Sequence, residues 1–208
     1  WNFSSIGIKH SVEDLCYADA NTLYLVGGDE TIYKSTNGGF IWLEIYTGVS
    51  LSLFLGVEFY NPSYGIVCGE DGKVLVTTDG GTIWTPSNAG GSGLLHGIHI
   101  FNEQDAFVVG TPEQVFKTTD GGMNWFSDFI GGNTVALYKI KFTENNTGLI
   151  CGSDGKLLIN TDYVIPVELT GFTAIADGND VLLNWTTKTE LNNSGFEINR
   201  LTHGSSWQ

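Results

Sequence analysis

The 208 residues are short of positive charge: Lys and Arg total 9 against 23 Asp and Glu, a formal net charge of −14. Nucleic acids and anionic lipids are gripped through basic groups that neutralise phosphate, so this balance disfavours both as partners. Arginine is the scarcest cation, with Arg200 alone in the chain. Cysteine is sparse too: Cys16, Cys68 and Cys151 are too few for a disulfide scaffold and odd in number, which predicts free, buried thiols. No apolar run reaches the roughly 18 residues of a membrane-spanning helix. The opening Trp1-Asn2-Phe3 gives way to polar residues rather than to the apolar stretch of a signal peptide, so any export signal is expected outside these residues. Prolines number 4 and glycines 28. Many tight turns follow from that glycine load, and with 41% apolar and 12% aromatic residues they predict a packed, all-β chain.

The glycines are periodic. Ser35-Thr-Asn-Gly-Gly-Phe-Ile-Trp42 returns as Thr77-Thr-Asp-Gly-Gly-Thr-Ile-Trp84 and again as Thr118-Thr-Asp-Gly-Gly-Met-Asn-Trp125, the tryptophans 42 and 41 residues apart. One period earlier stands Trp1, the expected end of an upstream copy. A second marker, eight residues before each Ser/Thr, is Gly27, Gly69 and Gly110, and one period on is Gly152, where the following Asn160-Thr-Asp162-Tyr has lost the glycines and tryptophan. Val26, Cys68, Val109 and Cys151 precede these glycines, so two cysteines replace valines in the second and fourth repeats, which a simple array would not place side by side.

Three apolar runs recur in each repeat. They begin with Leu15-Cys-Tyr17, Val57-Glu-Phe59, Ile98-His-Ile100 and Ile140-Lys-Phe142. A fourth short strand is expected to start at each tryptophan. Four strands in about 40 residues is the pattern of a β-propeller blade. Counted between tryptophans, the blades are 1–41, 42–83, 84–124 and 125–163, a partial ring.

Within the turn motif each residue type has a structural task. The Asn37, Asp79 or Asp120 side chain can accept backbone N–H groups two residues on, as in an Asx-turn, and the Ser35, Thr77 or Thr118 hydroxyl can close another bond. Gly39, Gly81 and Gly122 supply positive φ. Trp42, Trp84 and Trp125 can drop into the seam between neighbouring hairpins with the indole N–H near polar turn atoms.

Ser/Thr-x-Asp-x-Gly-x-x-Trp resembles the Asp-box, or BNR, repeat, and the wording here is most similar to photosystem-assembly-factor-like and sortilin-like propellers, over residues 1 to about 163. The resemblance implies the fold; the same blade serves enzymes, receptors and scaffolds. Sialidases of this kind hold a carboxylate with three arginines, and Arg200 lies outside the repeats. A glycosidase would need two carboxylates about 5–9.5 Å apart, and nothing marks such a pair among Glu13, Asp14, Glu58, Glu70, Asp71 and Asp154. Glu70-Asp71-Gly72 and Ser153-Asp154-Gly155 lack the spaced carboxylates of a calcium loop and read as hairpin turns. His96 and His99 are three apart, on opposite faces of an extended strand, so neither a metal nor a cofactor is expected. His96 aligns with Glu13, Leu55 and Tyr138 at the start of the first strand of each repeat. In propellers that strand lies nearest the central channel, so Glu13, His96 and Tyr138 are candidate rim residues for a ligand.

After Asp162 the period stops, and Pro166 marks a boundary. Strands are expected over 167–174, 181–187 and 195–200, with Trp185 in a core between two sheets. Pro166-Val-Glu-Leu-Thr-Gly-Phe-Thr-Ala and Leu183-Asn-Trp-Thr-Thr-Lys-Thr-Glu-Leu-Asn-Asn-Ser-Gly-Phe-Glu-Ile resemble a fibronectin-III-like segment of type IX-secreted Bacteroidetes-type proteins, over residues 164–208. That resemblance implies export to the cell surface or medium, and a sandwich of which these residues are part. The expectation is a non-catalytic propeller for adhesion, recognition or extracellular assembly, partnering a protein, a glycan or itself as oligomer or filament. The alternatives are part of a secreted carbohydrate-active enzyme, or an assembly factor for a membrane complex.

Overall fold

A computed structural model of the chain describes residues 7–90, 92–132, 134–143, 146–161, 169–177 and 180–187. Trp1, Asp162, Pro166, Arg200 and the strand expected at 195–200 lie outside the described residues. Among the described residues all regular structure is β apart from three one-turn 3₁₀ segments, and no helix is long and apolar enough to cross a membrane. The chain divides into two compact units, Trp1–Phe142 with Gly148–Asn160, and Thr143–Thr147 with Thr161–Gln208.

The first unit is a series of antiparallel sheets in sequence order. The first holds β1 (Val12–Tyr17), β2 (Leu23–Gly27), β3 (Thr31–Ser35) and β4 (Leu43–Thr47). In the second are β5 (Phe54–Phe59), β6 (Gly65–Gly69), β7 (Lys73–Thr77) and β8 (Thr85–Asn88). The third comprises β9 (Leu94–Ile100), β10 (Ala106–Thr111), β11 (Gln114–Thr118) and β12 (Phe126–Ile130). The fourth contains β13 (Leu137–Phe142), β14 (Gly148–Gly152) and β15 (Leu157–Asn160). Each fourth strand, just after a motif tryptophan, pairs with the third strand before that motif. The sheet is therefore offset from a repeat counted between tryptophans.

Second strands β2 and β6 are buried along their whole length, as continuous apolar runs covered on both faces must be. The first strands β1, β5, β9 and β13 neighbour one another in order. Between the second and third strands of the second sheet, Asp71 and Gly72 both take positive φ (56° and 67°), as do Asp154 and Gly155 in the fourth (53° and 70°), the geometry of a type I′ turn.

Packing alternates along the series. Tyr24 of the first sheet stacks on Phe59 of the second (3.9 Å, 11°), and Phe107 of the third on Phe142 of the fourth (5.5 Å, 26°). Between the second and third sheets no aromatic pair is stacked and the seam is mainly aliphatic among the described residues: Ile66, Cys68, Val74 and Val76 meet Leu95, Ile98, Ile100 and Val108, with Tyr64, Phe116 and Trp125 in the same cluster. The structural repeat is thus a pair of sheets, with equivalent residues 83 positions apart.

The thiols differ from the sequence expectation. All three are free, but only Cys68 is buried; Cys16 is half-buried and Cys151 exposed. A cysteine at this position is covered by the next sheet in the series, which Cys68 has in β9. Burial, reinforced by Asp14 and Glu58, pushes the Cys16 thiol up to about 12.

In the second unit, β16 (Leu169–Asp177) and β17 (Asp180–Thr187) form an antiparallel hairpin with Phe172 opposite Trp185. Trp185 is more than a third exposed, and the strand expected at 195–200, part of the sandwich expected around it, lies outside the described residues.

Candidate functional site

Three tiers of side chains matter: the turn motifs, the inner strands and the residues at the start of those strands. In the first turn, Ser35 Oγ donates to Asn37 Oδ1 (2.9 Å) and accepts from Gly39 N (3.0 Å), while Asn37 Oδ1 accepts from Ile41 N (2.9 Å). Thr77, Asp79, Gly81 and Ile83 repeat this pattern, as do Thr118, Asp120, Gly122 and Asn124. The side-chain oxygen thus reaches the N–H four residues on rather than two, because the two glycines, both at positive φ, fold the turn back over it.

These bonds hold two carboxyls below the usual range, Asp79 chiefly through the Ile83 N–H and Asp120 through the Asn124 side chain and N–H. A carboxylate depressed in the folded state stabilises above its unfolded value, about 3.9, and that stability is lost as pH falls through the lower folded value. Melting temperature is therefore expected to drop on acidification below about pH 4. Asp79→Asn, which copies Asn37, should flatten that part of the profile in thermal melts; an unchanged slope would remove Asp79 from the account.

The second and third motifs pack against the preceding sheet. Tyr24 Oη and Lys34 Nζ both donate to Gly80 O at 2.8 Å. Trp84 is buried edge-on to Phe59 (6.1 Å, 90°), and Trp125 packs on the cluster that includes Val76. Trp42 stays half-buried. Trp42 Nε1 and Trp125 Nε1 donate to Gly39 O (2.8 Å) and Gly122 O (3.0 Å), whereas Trp84 Nε1 has no partner among the described residues. The fourth repeat lacks the motif, and an apolar cleft of about 280 Å³ lies there, lined by Phe107, Phe129, Ile140, Phe142 and Leu158.

On the inner strands two layers of side chains stand in register. Asp14, Gly56, Gly97 and Lys139 form one; Cys16, Glu58, His99 and Lys141 the other. Lys139 Nζ lies 3.7 Å from Asp14, and Lys141 Nζ donates to Glu58 at 2.6 Å. Asp14 also accepts from Val57 N (3.1 Å). Burial works against the Glu58 charge, but the His99 ring and the Lys141 ammonium beside it outweigh this and hold the carboxyl below its ordinary range. The fourth sheet therefore supplies cations for acids of the first two. Glycine fits between them because a Cβ on Gly97 would come within 2.9 Å of Tyr138 O.

The rim candidates share one geometric peculiarity. Glu13, Leu55, His96 and Tyr138 each fall at a break in ladder register, where the first strand carries one residue more than its partner. Such a bulge takes the side chain out of strict alternation and re-aims it. His96 and Tyr138 meet edge-to-face (5.5 Å, 75°), and His96 Nε2 lies 3.3 Å from Thr111 Oγ1. Burial lowers the His96 pKa, so at neutral pH it is an uncharged hydrogen-bonding ring. Glu13 and Tyr138 are exposed.

A family model described as photosynthesis system II assembly factor YCF48, of BNR type, matches residues 43–128 and 87–161, which together span more than half of the chain. The chain belongs to this family. No curated protein sequence matches it. Among solved structures, the family's YCF48 bound to D1 peptide aligns at TM-score 0.60 and 19% identity over 89% of this chain and 56% of that one. YCF48 from Cyanidioschyzon merolae gives 0.58 and 16% over 89% and 59%. An ancestral GH74 enzyme gives 0.62 and 20% over 76% of this chain and 24% of that one. The chain thus spans less than two thirds of each, and at these identities the likeness is one of fold: the four sheets are blades of a β-propeller.

Two features of this YCF48-family propeller escape a reading repeat by repeat. One is the pairing of Asp14 with Lys139 and of Glu58 with Lys141. The other is Glu30, buried and in contact with Lys73, matched 83 residues on by buried Glu113 and Lys156 (2.6 Å). Comparing alternate repeats, rather than successive ones, exposes the second.

Proposed function

We propose that this chain is a non-catalytic β-propeller recognition module, exported to the cell surface or medium, that binds a protein segment at the rim formed by Glu13, His96 and Tyr138. The observation that carries this reading is the bulge at the same point of every inner strand, which presents four chemically different side chains on one scaffold. A neutral imidazole beside a half-exposed phenol offers an amphipathic surface with hydrogen-bonding capacity. A peptide-bound family structure lends support by analogy of fold, and export rests on the resemblance of the C-terminal segment. The alternative, a carbohydrate-active enzyme, is favoured by the GH74 likeness alone; Glu58, its carboxyl held below the ordinary range, is poorly suited to proton donation.

Titration against a peptide library and a set of polysaccharides tests the two readings together. Peptide binding weakened at least tenfold, about 1.4 kcal/mol, by Tyr138→Ala or His96→Ala is the expected result. Polysaccharide turnover, or binding indifferent to both substitutions, would overturn it.

A further inference from the structure

The seams on either side of the second blade differ by one ammonium group. In the first, Lys34 Nζ donates to Gly80 O at 2.8 Å, lies 5.3 Å from the Tyr24 ring centroid and shares that carbonyl with Tyr24 Oη. In the second, the equivalent carbonyl is Gly121 O, and Val76 stands at the lysine position with no group to donate. Ile66 replaces Tyr24, and a phenol comes instead from Tyr64, two residues earlier. Its Oη would lie 4.0 Å from a Cβ on Gly121, as Tyr24 Oη would lie 3.6 Å from one on Gly80. Tyr64 is 3% exposed, and its Oη has no hydrogen-bond partner among the described residues.

A pocket of about 190 Å³ lies at this point, lined by Tyr64, Val76, Thr85, Glu103, Asp120 and Gly121. It belongs to an interior seam, with a blade on either side, at the opposite end of the strands from Glu13, His96 and Tyr138. Glu103 takes the place of Pro62: a Cβ on Gly80 would lie 2.8 Å from Pro62 O, and one on Gly121 2.9 Å from Glu103 O. Where the lysine is lost, a carboxylate is thus gained. Burial comes first, and the charges of Glu103, Asp120 and Asp105 add to it, in pushing the Tyr64 phenol above its ordinary value. Those three acids make the surroundings of the phenol negative, which favours a cation.

We propose that this pocket binds a primary ammonium group, from a lysine side chain or a free alkylamine, which donates to Gly121 O, Tyr64 Oη and the Glu103 carboxylate. An ammonium carries three donors, one for each acceptor. The volume falls below the roughly 300–1,000 Å³ of small-molecule sites, which suits one side chain rather than a cofactor. A divalent metal fits poorly, because the carboxylates are already engaged. Asp120 Oδ1 accepts from Thr118 Oγ1 and Asn124 N, Asp120 Oδ2 from Asn124 Nδ2, and Glu103 Oε1 from Asn61 Nδ2. Calcium asks for about six to eight oxygen ligands. This site is separate from the rim and stands whether or not the rim binds a peptide.

Amide NMR spectra of the 208-residue chain, titrated with n-butylammonium, should show saturable shifts at Gly121 and Met123 and none at Gly80, where Lys34 fills the equivalent place. Neutral n-butanol should leave all three unmoved. Tyr64→Phe keeps the ring and removes one acceptor, so it should weaken binding about tenfold. Val76→Lys supplies the ammonium from within the chain and should abolish binding. The peptide Gly-Gly-Lys-Gly-Gly, compared with its acetyl-lysine counterpart, separates the two sources: tighter binding than n-butylammonium assigns the pocket to polypeptide lysine, weaker binding to a free amine, and both uphold the ammonium. Shifts no larger at Gly121 than at Gly80, butanol binding as well as n-butylammonium, or an affinity unchanged by Tyr64→Phe overturns the proposal.

Discussion

Trp84→Ala is expected to cost about 3–5 kcal/mol of stability, the range for truncating a large buried aromatic side chain. For a unit of this size that is a fall in melting temperature on the order of 10 °C. Trp84 closes the seam between the first two blades, edge-on to Phe59, which in turn stacks on Tyr24, so removing the indole opens a void against two further rings. Trp42→Ala should cost clearly less, because its ring is half-buried and no preceding blade is described for it to fill. Thermal and urea melts of the two variants side by side decide the matter. Equal losses would mean that the indole acts within its own turn rather than through the seam.

The second large effect lies at Glu30. Its carboxylate is buried, contacts Lys73 of the next blade and accepts from Ser50 Oγ. A Cβ on Gly48 would collide with it at 1.8 Å, so the acid fills space that only glycine leaves open. The residue also holds φ at 52°, in the left-handed region where blades two and four place Gly72 and Gly155. Such backbone is retained where surrounding contacts over-determine it. Lys73→Met leaves the charge buried without its cation and is expected to cost about 3 kcal/mol, the low end for a broken buried pair because Lys73 is itself one third exposed. Adding Glu30→Gln should restore part of that loss, with a coupling on the order of 1–3 kcal/mol in the double-mutant cycle. Additive single effects would show that the pair contributes packing and not charge.

Local chemistry was the part most legible in the sequence. Every bond in the Ser35–Trp42, Thr77–Trp84 and Thr118–Trp125 turns closes within a few residues, so residue types at fixed offsets were enough to assign the hydroxyl, the side-chain oxygen and the glycines their tasks. The reach of that oxygen to Ile41, Ile83 and Asn124 was not legible, because it depends on how two consecutive positive-φ glycines curl the chain. Alignment of repeats placed Glu13, Leu55, His96 and Tyr138 at one position, but a bulge is a property of two strands in register. Contacts such as Tyr24 to Gly80 or Asp14 to Lys139 join different blades and leave no mark at the repeat period. The exposure of Cys151 belongs to the same class, since burial at that position is conferred by the following blade.

The bulge in each inner strand has a consequence for how such propellers diversify. A residue inside a ladder is answerable to its cross-strand partner and to the faces on either side of the sheet; the bulged residue is released from both. An acid, an aliphatic, an imidazole and a phenol occupy that point at positions 13, 55, 96 and 138 without disturbing the flanking pairs. Side-chain chemistry at the rim can therefore be exchanged one blade at a time without disturbing the ladders, except that His96 and Tyr138, which touch, change as a pair.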